Sequence, residues 1–221
     1  MSKKSKNNDK EDKEKKEGKD KIEFKIITLG DSGVGKSSII KRYVYNSFLD
    51  HTVTTIGISY SFKDVTLKDG TKISLKLIDT AGQEKYKSLS KSYYKHANCA
   101  LFIFSLNDIN TFNDIREWIN LFEENNEGTY FVCRYLIGNK SDLEITVEQD
   151  KIDEFRNNNK FDGYASISAK DNINIDKLFE EMSQILYDDY KKKGKTDQKN
   201  MLLKKHEKPK KSCLACLIEH S

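Results

Sequence analysis

This chain has no long apolar run, one proline, one tryptophan and four cysteines. A membrane-spanning helix needs roughly 18 consecutive apolar residues, so the sequence predicts no transmembrane segment. The N-terminus lacks the apolar core of a secretory signal. Two cysteines lie inside apolar runs and two lie near the C-terminus, a distribution that favours a reducing compartment over a disulfide framework.

Charge is plentiful but unevenly distributed along the 221 residues, which carry a formal net charge of +4. Lysine is concentrated in residues 1–21 and 191–211, whereas the stretch between them has more acids than bases. An acidic body argues against nucleic-acid binding through its surface. The composition predicts a disordered charged arm at 1–21, one folded domain at 22–190 and a flexible lysine-rich tail at 191–221.

Strand-like and helix-like patterns alternate within the folded domain. The apolar runs 24–29 and 99–106 predict buried strands, and helical spacing predicts helices at 111–122 and 176–190. Asp69-Gly70 between two alternating segments predicts a hairpin. About six strands and five helices indicate an α/β fold, with a mostly parallel six-stranded sheet, helices on both faces and ligands at the carboxyl ends of the strands.

A phosphate-binding loop is predicted at residues 30–37 (GDSGVGKS), which match G-x-x-x-x-G-K-[ST] between a strand and a helix. Backbone N–H groups of such a loop form a nest for phosphate oxygens, and the helix N-terminus adds to the field. Lys36 is expected on the β- and γ-phosphates, and the Ser37 hydroxyl suits Mg²⁺. A chance match is the alternative, which the strand and helix context disfavours. The candidate residues are Ser32, Gly33, Val34, Gly35, Lys36, Ser37 and Ser38.

Two later motifs favour guanine as the base. In Asn139-Lys140-Ser141-Asp142, the Asp142 carboxylate can accept from N1–H and from the exocyclic amine of guanine, and adenine offers neither donor. Each such charge-assisted bond contributes about 1.5–3 kcal/mol. The stem of Lys140 can cover the purine face. In Ser168-Ala169-Lys170, a backbone N–H can reach O6 while Lys170 covers the other face. Either motif alone could be a solvated loop.

Residues for hydrolysis follow the strand predicted at 73–78. Asp79 is expected to hold Mg²⁺ directly or through water. Gly82 can offer its backbone N–H to the γ-phosphate, and Gln83 can orient the attacking water. Thr55 is a candidate second hydroxyl ligand of Mg²⁺, and its alternative is a β-branched residue entering a strand.

Taken together, these residues resemble the Ras-like small GTPases, and within them the Rab family. The resemblance covers residues 22–190 and implies a P-loop NTPase fold, GTP and GDP with Mg²⁺, and slow GTP hydrolysis that switches two loops to control effector binding in vesicle traffic. The segments that carry it are GDSGVGKSS (30–38), TTIGISYSF (54–62), DTAGQEKYKSLSKSYYKHA (79–97), GNKSD (138–142) and SAK (168–170).

The resemblance also implies roles for single residues. Ser37 and Thr55 would bind Mg²⁺, Thr55 and Gly82 would sense the γ-phosphate, and Phe48 would lie edge-on against guanine. The resemblance places three residues on a hydrophobic surface that effectors contact: Tyr60, Ile78 and Tyr93. The family usually has tryptophan where this chain has Ile78.

The implied partners are effectors, a GTPase-activating protein, an exchange factor and a GDP-dissociation inhibitor. The protein is expected to be a monomer that binds no nucleic acid. The alternatives are a nucleotide-bound scaffold without turnover and a Ras- or Rho-like signalling switch.

The C-terminal sequence CLACLIEHS (213–221) departs from the usual prenylation patterns. Prenylation of Cys213 or Cys216 is one expectation, palmitoylation is the alternative, and a zinc half-site is a third reading. The lysine-rich tail would add attraction to an anionic membrane, although KKHEKPKK (204–211) also admits a nuclear-localisation reading. The expected location is cytoplasmic, peripheral on the cytosolic face of intracellular membranes.

Overall fold

The computed structural model describes residues 22–49, 57–80, 93–126 and 132–206, with side chains described up to residue 193. Six strands lie in this part of the chain: β1 (Ile22–Leu29), β2 (Ile58–Thr66), β3 (Lys72–Thr80), β4 (Cys99–Ser105), β5 (Cys133–Asn139) and β6 (Gly163–Ser166). The same part holds five helices: α1 (Lys36–Tyr45), α2 (Ile109–Asn113), α3 (Ile115–Asn125), α4 (Gln149–Asn158) and α5 (Ile175–His206).

The strands form one sheet in the order β2-β3-β1-β4-β5-β6. All neighbouring pairs are parallel except β2 and β3, which are antiparallel. The hairpin between them turns at Gly70, whose φ is 82° and whose N–H donates to the Leu67 carbonyl at 2.9 Å. The predicted hairpin and the predicted mostly parallel six-stranded sheet are therefore confirmed.

The core lies on the central strands. Every residue of β4 is buried, as expected for a parallel strand covered on both faces. An aromatic cluster packs against it, with Phe102 edge-on to Phe122 at 6.0 Å and to Phe161 at 5.5 Å between ring centroids. Helix α3 contributes a buried apolar face: Ile115, Trp118, Ile119 and Phe122.

The helix predicted at 111–122 is divided into two helices, α2 and α3. The Asp108 carboxylate accepts from the Asn110 N–H and so caps the start of α2. The chain then breaks at Asp114, whose carbonyl accepts from the N–H groups of Glu117 at 3.0 Å and Trp118 at 3.3 Å and begins α3. The apolar spacing located the helical face correctly but did not indicate this break.

The chain divides into two units, Met1–Leu186 and Tyr187–Ser221. In the second unit, the described side chains include the ion pairs Lys191–Asp188 at 3.8 Å and Lys193–Asp189 at 2.7 Å along the helix. Such exposed pairs one turn apart add a few tenths of a kcal/mol.

Helix α5 ends at His206, so the end predicted at residue 190 is wrong. Residues 191–206 include seven lysines, two leucines, one methionine and one glutamine, all of them residue types that favour helix. The only proline follows at 209. A charged composition that cannot form a core can still form a helix. Among the described residues, no helix is long and apolar enough to cross a bilayer.

Candidate nucleotide-binding site

The predicted phosphate loop joins β1 to α1. At two of its glycines, neighbouring atoms lie so close that a side chain would not fit. A Cβ on Gly30 would lie 2.1 Å from the Ile103 carbonyl oxygen, and a Cβ on Gly35 would lie 2.3 Å from Asn139 Nδ2. Gly33 has φ of 79° and open space where a Cβ would be. The exposed residues of the loop are Ser32 and Gly33, the half-buried ones Gly35, Ser37 and Ser38, and the buried ones Val34 and Lys36.

Lys36 is buried within this loop, with only 5% of its surface exposed. Its Nζ donates to the carbonyl oxygens of Gly30 at 2.9 Å and Asp31 at 2.8 Å. Burial lowers the pKa of Lys36 to about 8, against the charges of Asp79 and Asp31. The loop thus holds the Lys36 ammonium in a partly desolvated position. A bound anion next to it would favour the charged form of this side chain.

Asp79 lies near the carboxyl end of β3 and is buried. Its Oδ1 has no hydrogen-bond partner among the described residues. Burial raises the pKa of Asp79, while a hydrogen bond with the Ser37 side chain and the charges of Lys36 and Lys41 lower it. A buried carboxylate oxygen beside a hydroxyl supplies the hard oxygen donors that Mg²⁺ prefers. The residues that the structure brings together therefore fit this ion.

Asn139 connects the phosphate loop to the 168–170 loop. Its Nδ2 donates to the Val34 carbonyl at 2.7 Å, and its Oδ1 accepts from the Ala169 N–H at 3.2 Å. The side chain is buried with 2% of its surface exposed. One amide therefore holds the phosphate loop and a predicted base-binding loop at a fixed separation.

The two motifs that are predicted to bind guanine also contact each other directly. The Ser168 hydroxyl donates to Asp142 Oδ1 at 2.6 Å and accepts from the Asp171 N–H at 3.0 Å. Because an ionised carboxylate can only accept, the hydroxyl hydrogen is directed at Asp142. Lys140 takes a left-handed conformation, with φ of 66°. Asp142 and Lys140 are half-buried and Lys170 is exposed.

Sequence reasoning missed two residues that position these loops. Arg42 on α1 donates from Nε to the Ala169 carbonyl and from Nη2 to the Lys170 carbonyl, each at 2.9 Å. Trp118 on α3 donates to the carboxylate of Asp31 at 2.7 Å. Arginine on a helix and tryptophan on an apolar helical face are common. Nothing in the neighbouring sequence therefore indicated that either residue contacts these loops. Only the tertiary contacts identify them.

Phe48, expected against guanine, is half-buried just beyond the end of α1. The Arg42 guanidinium lies 5.9 Å from the centroid of its ring. This phenyl ring therefore lies close to the arginine that holds the 168–170 loop.

The predicted effector surface needs one correction. Ile78 is fully buried, with 0% of its surface exposed, so its placement on an accessible surface is wrong. It pairs with Tyr60 of β2 on one side and Ile27 of β1 on the other, and its side chain belongs to the buried core cluster that also contains Ile27 and Phe102. Tyr60 is 48% exposed and Tyr93 is half-buried.

Five predicted functional residues lie outside the described residues. Thr55, Gly82 and Gln83 were expected to sense or hydrolyse the γ-phosphate bond, and Cys213 and Cys216 were expected to carry lipid.

The chain is similar to named proteins over most of its length. Residues 25–188 match the Ras family. The Ras-related protein Rab-11B of Dictyostelium discoideum is 38% identical over 164 residues, 74% of this chain and 73% of the relative. The Ras-related protein Rab-9A of Mus musculus is 35% identical over 202 residues, 87% and 96% of the two chains. The Ras-related protein Rab-7L1 of Rattus norvegicus is 34% identical over 156 residues, 69% and 76% of the two chains.

Proposed function

Because the chain belongs to the Ras family of small GTPases, we propose that the site at the carboxyl ends of its strands alternates between GTP and GDP and acts as a Rab-type switch in vesicle traffic. The expectation of a Rab-like small GTPase is confirmed by this membership, and so is that of a P-loop NTPase fold. Proteins of the family bind guanine nucleotide and hydrolyse GTP, so the expected enzyme class, a GTP phosphohydrolase, is confirmed as well.

The bridge made by Asn139 is the observation that supports the assignment of the site most strongly. Its 2.7 Å bond to Val34 and its 3.2 Å bond to Ala169 connect the two loops that a nucleotide would contact at its two ends. Asp142 would accept from guanine N1–H and the exocyclic amine, and the Ala169 region would meet O6. Lys140 and Lys170 would cover the faces of the base, and Phe48 its edge.

The phosphates would bind in the loop from Ser32 to Ser38, with Lys36 on the β- and γ-phosphates. Mg²⁺ would be held by the hydroxyls of Ser37 and Thr55 and by Asp79, directly or through water. When bound, this ion neutralises charge on the phosphate oxygens. Asp79 supports this assignment, because its buried Oδ1 has no hydrogen-bond partner among the described residues.

Hydrolysis would use Gln83 to orient the attacking water, while Thr55 and Gly82 would respond to the γ-phosphate. The chain has four arginines, at positions 42, 116, 134 and 156. None lies in the phosphate loop, and Arg42 is engaged with the carbonyls of Ala169 and Lys170. We therefore expect slow intrinsic turnover that a GTPase-activating protein accelerates with an arginine of its own.

An exchange factor, a GDP-dissociation inhibitor and effectors are the other proposed partners of a monomeric switch. The proposed organisation is a charged arm at 1–21, a GTPase domain at 22–190 and a tail at 191–221. Lipid on Cys213 or Cys216, together with the lysines of the tail, would place the protein on the cytosolic face of intracellular membranes.

The test combines nucleotide competition with phosphate release. Fluorescent GDP should be displaced by GTP and GDP but not by ATP, and phosphate release from GTP should be slow and fall further in Gln83→Leu. Equal displacement by ATP would contradict the guanine assignment. Tight GTP binding with no phosphate release, even with a cell extract that contains activating proteins, would instead indicate a scaffold without turnover.

A further inference from the structure

We propose that Arg42 is a positioning residue of the guanine pocket: it holds the 168–170 loop against the end of α1 and so slows nucleotide release. This role rests on the proposed function, since it concerns the pocket assigned above to guanine. Arg42 lies on α1, six positions after Lys36, and its guanidinium donates to two carbonyls of the 168–170 loop.

The first set of contacts is made with the base-binding loop. Nε donates to the Ala169 carbonyl and Nη2 to the Lys170 carbonyl, both at 2.9 Å. The N–H of Ala169 is bound from the other side by Asn139 Oδ1. The peptide groups on both sides of Ala169 are therefore held, one by a buried amide and one by a guanidinium.

The second set of contacts closes the end of α1. The Asn46 N–H donates to the Arg42 carbonyl at 2.9 Å, and Arg42 Nη1 donates back to the Asn46 carbonyl at 3.2 Å. Asn46 takes a left-handed conformation, with φ of 48°, which ends the helix. Phe48 follows two residues later, with its ring centroid 5.9 Å from the guanidinium carbon. Arg42 thus contacts both the loop that would meet O6 and the ring that would meet the base edge.

The chemistry of these contacts calls for arginine. A guanidinium offers five N–H donors in a planar fork, whereas a lysine ammonium is a single point of charge. Among the described residues, Arg42 has no ion pair with a carboxylate, and carbonyl oxygens receive its charge-assisted bonds. A lysine could keep the charge but could not reach the carbonyls of Ala169, Lys170 and Asn46 together.

Without the Arg42 guanidinium, the carbonyls of Ala169 and Lys170 would be hydrated instead, and the loop could move away from α1. The base contacts would then form and break more often, and changes at a binding site act mainly on dissociation. We expect Arg42→Gln to speed GDP dissociation on the order of tenfold, since two charge-assisted bonds are lost. Arg42→Lys should fall between this variant and the wild type.

The experiment measures release of fluorescent GDP from the full-length chain in excess Mg²⁺ and unlabelled GDP. The variants are Arg42→Gln and Arg42→Lys, with Arg116→Gln as the matched control because Arg116 is exposed on α3. Hydrogen exchange of the GDP-bound proteins provides the second readout. The Arg42 variants should raise exchange at residues 168–173 and at the end of α1 while leaving β4 and β5 protected, which a general loss of stability would not do.

GDP release within twofold of wild type in both Arg42 variants would overturn the positioning role, and so would exchange that rises equally across the sheet. The lysine variant decides the matter if the glutamine variant does not fold. If wild type and Arg116→Gln do not retain GDP at all, the proposed function itself is contradicted. If all four proteins bind GDP and release it at the same rate, only the positioning role of Arg42 is contradicted.

Discussion

The indole Nε1 of Trp118 donates a 2.7 Å hydrogen bond to Oδ1 of Asp31, which joins α3 to the phosphate loop. Trp118 is the only tryptophan of the chain and is 4% exposed. Burial raises the pKa of Asp31, while the Trp118 hydrogen bond lowers it. The backbone carbonyl of the same Asp31 accepts from Lys36 at 2.8 Å. Helix α3 therefore helps to hold the residue that in turn fixes the Lys36 ammonium.

Replacement of Trp118 by phenylalanine should destabilise the GDP-bound protein by about 1–3 kcal/mol, because the Asp31 carboxylate loses a donor at a partly buried position. Asp31→Asn should cost less, since its side-chain oxygen can still accept from the indole. Urea unfolding of the two variants measures the difference. Equal stabilities for Trp118→Phe and wild type would show that the indole bond contributes nothing.

Gly35→Ala should disrupt the bridge made by Asn139, because the added Cβ would lie 2.3 Å from its Nδ2. Gly70→Ala is the matched control: its φ of 82° is also positive, but no atom lies within 4 Å of the added Cβ. The control should lose about 1 kcal/mol from backbone strain alone. Gly35→Ala should lose more in urea unfolding and should also bind GDP more weakly. Similar losses in both variants would contradict the steric argument.

The fold could be predicted because its signals are local. The all-apolar run of β4 indicates a strand buried on both faces, and the Asp69-Gly70 dipeptide indicates the hairpin. Each motif that is predicted to bind phosphate or the base is likewise a short contiguous segment after a strand. Because parallel strands have their carboxyl ends at the same edge of the sheet, the segments that follow them lie close together.

What the sequence could not predict depends on contacts between distant residues. Arg42 and Ala169 are 127 positions apart and Trp118 and Asp31 are 87 apart, and no periodicity connects them. Ile78 illustrates the same limit. Its apolar character fits an exposed effector surface as well as a core, and only the packing of neighbouring strands shows that it is buried.

Lys36→Asn should reduce affinity for GTP and GDP by several orders of magnitude, because the ammonium is fixed by the carbonyls of Gly30 and Asp31 where the phosphates would lie. Lys72→Asn is the control, since Lys72 is exposed at the opposite end of β3. Equilibrium binding of fluorescent GDP compares the two. Comparable affinities would place the phosphates elsewhere.

Asp142→Asn should change the preferred base from guanine to xanthine. The Ser168 hydroxyl donates to Oδ1 of Asp142 at 2.6 Å, and its own oxygen accepts from the Asp171 N–H, so an asparagine here should keep its oxygen on Ser168 and turn its NH₂ toward the base. That NH₂ cannot pair with the guanine amine but can donate to the C2 carbonyl of xanthine.

Competition between GDP and XDP measures this change, with Asp150→Asn on α4 as an exposed control that should keep guanine preference. The double variant Asp142→Asn with Ser168→Ala should show a weaker preference for XDP, because without the Ser168 hydroxyl the amide can adopt either orientation. Undiminished preference for GDP in Asp142→Asn would mean that this carboxylate does not contact the base, and the polar edge of the pocket would then have to come from another loop.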